Sequence, residues 1–199
     1  GLDRAALDRI ARISPLVLRH IEPALTRFYA SIARTPEVSR FFANPAHMDH
    51  AKDKQGGHWS VIATGRLDDS YYASSLAIGE RHARIGLEPQ WYIGGYGLII
   101  ETIIKGALAD WMAGELPHMR KRKPAEIVAA TDAMAAGLVD LIKAVMVDID
   151  LAVSTYFARL EAELEASRAT AEEIAQAQQH VLGVTGDALK RLAKGEVSV

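Results

Sequence analysis

His82-Ala83-Arg84-Ile85-Gly86-Leu87-Glu88-Pro89-Gln90-Trp91-Tyr92-Ile93-Gly94-Gly95-Tyr96 closes one helix and opens the next. The first helix ends near His82 and Arg84, Gly86 stops it, and Glu88-Pro89 starts its successor with the aromatics Trp91 and Tyr92 close behind. On these residues alone the histidine has two readings. It is a partly exposed helix-end residue making a capping contact, or a neutral imidazole facing an apolar chamber and holding a metal such as haem iron from one side.

Working outward, nearly every segment reads as helix, because β-branched residues never alternate with polar ones for more than a few positions. Leu2 to Ile13 predicts an amphipathic first helix, and Ser14-Pro15 opens a second through Arg34 with a break at Pro23. Pro36 begins a short piece carrying Phe41 and Phe42, ended by Asn44-Pro45. A helix over about Ala46–Thr64 closes on Gly65; Asp68 or Asp69 caps the one ending near His82. The helix from Pro89 is expected to last to about Trp111, and Pro124 begins a final helix with no convincing stop before about Glu165. From Phe157 a weak heptad runs through Leu160, Leu164, Ala171, Ile174, Val181, Ala188 and Leu192, with Ser167, Gln178 and Thr185 on the same seam. The predicted organisation is therefore a helical domain over 1–152 and a helical connector over 153–199.

Composition narrows the chemistry. The 199 residues suffice for one sizeable core. A formal charge of −2 offers no basic face for nucleic acid; Arg120-Lys121-Arg122-Lys123, flanked by Pro117 and Pro124, reads as a solvated loop. With no cysteine, disulfides, thiolate haem ligation, iron–sulfur clusters and covalent haem attachment are all excluded. Ile93 to Met112 is the most apolar stretch, but Glu101, Lys105 and Asp110 interrupt it, so no transmembrane helix is predicted. No signal peptide is visible, which favours the cytoplasm. A start at Gly1 and a stop at Val199 in helical character suggest a piece of something longer.

The run His-x-x-Ile-Gly-Leu from His82, followed by Pro89-x-Trp91-Tyr92, resembles the signature of the globin-coupled sensors, most specifically over 78–96 and more loosely over about 20–155. The resemblance implies an all-α globin fold with an extra N-terminal helix, a non-covalent haem b (iron protoporphyrin IX), and His82 as the proximal iron ligand. It makes Tyr92 the tyrosine near that ligand, although Tyr92 is also readable as a core aromatic; Trp91, Gly95 and Tyr96 read as packing residues. Tyr29 follows Phe28, 53 positions before His82, where the family carries a Phe-Tyr pair whose hydroxyl points at the distal ligand. A buried phenol there would stabilise bound oxygen by roughly 1–3 kcal/mol and carbon monoxide far less; the plainer reading is a boundary tyrosine reaching solvent.

Ala51, Gln55, His58 and Ile62 share one helix face, flanked by Lys54, and are expected to form the distal wall. Small Ala51 and polar Lys54 stand where bulkier aliphatic contacts are usual in the family, leaving distal polarity open. His58 reads as a supporting or core histidine rather than a second iron ligand. Phe42 packs on the porphyrin or elsewhere in the core. His47, Asp49, His50 and Asp53 do not make a closed metal shell.

The resemblance further implies a homodimer built by the last two globin helices, and Ala129, Met134, Gly137, Leu138, Leu141, Val145 and Asp148 supply a compatible stripe. The ending from Ala188 to Ser198 resembles the close of a HAMP-type linker of chemotaxis transducers. The expected function is a non-enzymatic sensor domain for oxygen or another diatomic gas (CO, NO), signalling to downstream proteins through an output domain. Alternatives are the input of a histidine kinase or diguanylate cyclase, a globin enzyme of the nitric oxide dioxygenase type, and a haem-free helical interaction module. The enzyme would need an electron source, and no flavin or nicotinamide motif is present.

Overall fold

A computed structural model describes residues 1–195, and the chain divides into two units, one over 1–156 and one from residue 157 onward. The elements are α1 (Arg4–Leu18), α2 (Ile21–Ala33), α3 (Pro36–Ser39), α4 (Pro45–Ala63), α5 (Asp69–Ile85), α6 (Pro89–Met119) and α7 (Pro124–Ala193). No strand occurs among the described residues. The fold is all-α, as the sequence predicts.

Local chemistry sets most of the boundaries. Asp3, Asn44 and Asp68 each accept a backbone N–H of the first turn of α1, α4 and α5. Gly65 and Gly86 take positive φ after α4 and α5. The α1–α2 boundary differs from expectation. Pro15 lies inside α1 instead of starting a new helix, and the break falls at Arg19-His20. The reason is burial: Ala6, Ile10, Ile13, Ser14 and Val17 form one continuous buried stripe across the proline, outweighing a helix penalty of about 3 kcal/mol. Pro23 falls in the first turn of α2, where its missing N–H has no helical partner to lose. α6 likewise continues past Trp111 through Pro117 to Met119.

Within the first unit, α2 packs on α4 and α6, and α1 lies across the same two helices. Ile10, Val17, Leu25, Trp59, Ile62, Ile99, Ile103 and Val145 fill the core. Arg9 reaches from α1 to the buried Asp140 of α7 at 2.5 Å, and Lys143 meets the same carboxylate at 2.9 Å. Most of the α7 stripe expected to face a partner subunit instead faces this core, Ala129 being the one member left exposed. Met134, Gly137, Leu141, Val145 and Asp148 are buried within their own chain, with Ile13 against Gly137. A 3.6-residue stripe identifies a buried face without saying which molecule covers it. The large apolar residues that α7 leaves outside in this unit are Val128, Val139 and Met146.

Helices α5 and α7 meet closely at Gly79, where a Cβ would sit 2.8 Å from both the Cα and the carbonyl oxygen of Ala152. Backbone cannot yield as a flexible side chain does. Gly79→Ala is therefore expected to destabilise the fold by about 1–3 kcal/mol through overpacking. In thermal unfolding followed by circular dichroism, this should appear as a midpoint lowered by roughly 2–12 °C; an unchanged midpoint would show that the crossing is looser than described.

In the second unit the chain stays helical to Ala193. Phe157, Leu160, Leu164, Ile174, Val181 and Leu192 of the heptad seam are exposed, as are Leu182, Val184 and Leu189 beside it. Of the HAMP-like ending, residues 196–198 lie outside the described residues. No helix among the described residues is long and apolar enough to cross a membrane.

Candidate functional site

The turn after α5 fixes His82. Gly86 adopts φ 73°, ψ 28°, and Leu87 donates its N–H back to the His82 carbonyl at 3.0 Å. That closure brings Leu87 over the last helical turn and lets Pro89 start α6. Tyr92 then falls with its ring centroid 5.0 Å from the imidazole of His82. His82, Leu87, Pro89, Tyr92, Ala152, Val153 and Tyr156 line a narrow, half-open cleft.

The imidazole in this cleft is unusual. Its Nδ1 is buried and has no hydrogen-bond partner among the described residues, and a native structure leaves few such atoms. Burial above all, with the nearby Arg81 charge, lowers its pKa to about 4. At neutral pH the ring is thus uncharged and has a lone pair to offer, which is the form that binds metals. These properties fit an axial ligand to a haem iron. The cleft leaves only about 10 Å³ of free cavity, far below the roughly 300–1,000 Å³ usual for small-molecule sites, so a porphyrin would enter only by displacing lining side chains.

The other expected site residues fall into separate groups. Tyr29 on α2 is 9 % exposed and lies edge-on to Phe28 and to Phe42, with centroids 5.2 and 6.1 Å away. Its hydroxyl has no partner among the described residues, and burial pushes its pKa well up, so it stays a protonated donor. The Tyr29–Phe42 pair and the His82–Tyr92 pair are each brought together. On α4, Ala51 packs against the core, Gln55 is half-buried and Lys54 is exposed. Lys52 is the lysine engaged with α2, through Glu22 at 2.6 Å and Thr26 at 2.8 Å.

His58 turns to a group that sequence reasoning did not single out as functional. Its Nε2 lies 3.0 Å from both carboxylate oxygens of Asp148 on α7, and a carboxylate only accepts, so this nitrogen carries the proton. The nitrogen is thereby committed to Asp148. Tyr71 and Ser75 of α5 donate to Oδ1 of the same carboxylate at 2.8 and 2.7 Å, and Tyr96 of α6 donates to Oδ2. Tyr92 donates to the Tyr96 hydroxyl at 2.9 Å. Asp148 is fully buried. Burial pushes its carboxyl pKa up, but the bonds from His58, Tyr96 and Ser75 outweigh this and hold it below the ordinary range. The signal in the sequence was a carboxylate at a core position of the α7 stripe, which demands buried donors opposite it.

The Protoglobin family description matches residues 1–162. The chain is also 23% identical, over 216 residues, to a protein named "Heme-based aerotactic transducer HemAT" from Halobacterium salinarum, with 97% of this chain and 42% of that one covered. The chain thus spans about two fifths of that relative's length. With an all-helical fold built around the His82–Gly86 turn and a family match across most of its length, this chain belongs to the protoglobin family, in keeping with the resemblance of its sequence to globin-coupled sensors.

Proposed function

We propose that this chain is the input domain of a haem-based gas sensor, without catalysis of its own, that holds haem b through His82. The observation that carries this reading is the neutral imidazole whose buried Nδ1 has no partner among the described residues. When bound, the haem supplies an iron that takes up a diatomic gas reversibly. His82 offers the axial nitrogen, and Tyr92 fixes one edge of its ring. Tyr29 offers a protonated hydroxyl with no competing partner among the described residues, its ring held by Phe28 and Phe42. Such a donor would favour a gas able to accept a strong hydrogen bond, oxygen over carbon monoxide. The name of the relative supports a role in aerotaxis. We place the domain in the cytoplasm, as a homodimer that uses the outward apolar residues Val139 and Met146 of α7 with Ile93 and Leu108 of α6. The helix beyond residue 156 leads to an output domain acting on downstream signalling proteins.

A visible spectrum of the purified chain tests the reading, and absence of a Soret band would end it. Tyr29→Phe is expected to raise the oxygen dissociation rate about tenfold, the equivalent of a hydrogen bond of ~1.4 kcal/mol. Carbon monoxide dissociation should change much less. Stopped-flow measurement of both gases checks this; equal effects would remove Tyr29 from the donor role.

A further inference from the structure

Asp148 is a charged group in the core of α7, and a core does not need one. An apolar residue of similar volume often serves stability as well as a buried ion with its donors. What the carboxylate adds is direction. Tyr96 spends its one hydroxyl proton on Asp148 Oδ2, and Tyr92 spends its own on the Tyr96 oxygen at 2.9 Å. Every proton along this arm therefore points away from His82 and toward α7. The Tyr92 ring, 5.0 Å from the His82 ring, is held by that arm. A second pair of bonds, from Tyr71 and Ser75, ties the same carboxylate to α5, the helix that carries His82. Those two bonds meet α5 about two to three turns before His82; only the Tyr96–Tyr92 arm reaches the His82 ring itself.

We propose that Asp148 is a positioning residue for His82, acting through Tyr96 to fix the hydroxyl direction and ring placement of Tyr92. The consequence is reciprocal. A change at His82 that moves Tyr92 loads the Asp148 bonds, and a displacement of α7 at residue 148 alters the surroundings of His82 by the same coupling free energy. Chains of polarised hydrogen bonds act cooperatively, so the arm behaves as a unit. The functional sense of this inference rests on His82 being the haem ligand; the positioning itself does not.

The test compares Asp148→Asn, Tyr96→Phe and Ser75→Ala in the full chain. Ser75→Ala removes a donor from the same carboxylate but lies outside the Tyr96–Tyr92 arm, so it reports the cost of disturbing the cluster alone. Two readouts address His82: ring-nitrogen NMR shifts of the haem-free chain, and the iron–histidine stretching band of the haem-loaded ferrous protein. Asp148→Asn and Tyr96→Phe are expected to move both signals in the same sense, and the double variant no further than either single one. Oxygen dissociation should change at least about threefold in Asp148→Asn. Ser75→Ala should leave the His82 signals in place. The proposal is overturned if Asp148→Asn moves them no more than Ser75→Ala does, or if the two arm variants add independently. Should Asp148→Asn fail to fold, Tyr96→Phe against Ser75→Ala decides alone. A chain that takes up no haem would defeat the ligand reading, while the NMR comparison would still judge the arm.

Discussion

His82→Ala is expected to strip the protein of its haem. Loss of an outer partner to a metal-bound histidine typically costs 10–100-fold in affinity, so loss of the axial nitrogen itself should weaken haem retention by more than about 100-fold. Purified His82→Ala should show little Soret absorbance, and millimolar imidazole, which refills the side-chain volume with the same donor, should restore it. The haem-free variant is expected to behave differently from an ordinary core truncation. The His82 Nδ1 is buried without a partner, an arrangement costing about 1–3 kcal/mol, and the substitution removes it. Its unfolding midpoint should therefore stay close to wild type. Normal haem content would refute the assignment, and a collapse of the haem-free fold would make His82 a structural residue.

The largest stability effect is expected from Asp148→Ala. It leaves His58, Tyr71, Ser75 and Tyr96 as donors without their acceptor in a closed interior. Breaking a buried, hydrogen-bonded charge in this way costs about 3–5 kcal/mol, or roughly 6–20 °C in the unfolding midpoint of a chain this size. Acid provides a second measurement. The folded state holds the Asp148 carboxyl below its ordinary pKa, so this group stabilises the fold above the unfolded value near ~3.9. That contribution is lost as pH falls through the lower, folded value. Urea midpoints should therefore fall less between about pH 6 and pH 3 in Asp148→Asn than in wild type, and equal slopes would show that the fold does not lower the Asp148 pKa.

Where a local rule decides, the sequence was readable. Gly86 takes the left-handed conformation its place in the run demands, Asp68 caps α5, and Pro36, Pro45, Pro89 and Pro124 each open a helix. Local rules failed where packing overrides them. Pro15 looks like a helix start, but the side chains on both sides of it are buried on one face. The α7 stripe was legible as a buried face, but a one-dimensional pattern cannot assign its cover to this chain or to another. His58 was legible as a histidine with a supporting role available, yet its partner lies 90 residues away on α7. Pairings of that range carry no signature in spacing. Asp148 went unrecognised for the same reason, since each of its donors looks ordinary in its own helix.

The close crossing at Gly79 adds a mechanical consequence. With no side chain between them, the two backbones bear on each other three positions before His82, about 4.5 Å along the helix axis. That bearing acts as a fulcrum placed beside the load. A shift of the helix backbone at His82 is not absorbed by soft side chains at the crossing; it pivots the helix there or pushes its neighbour bodily.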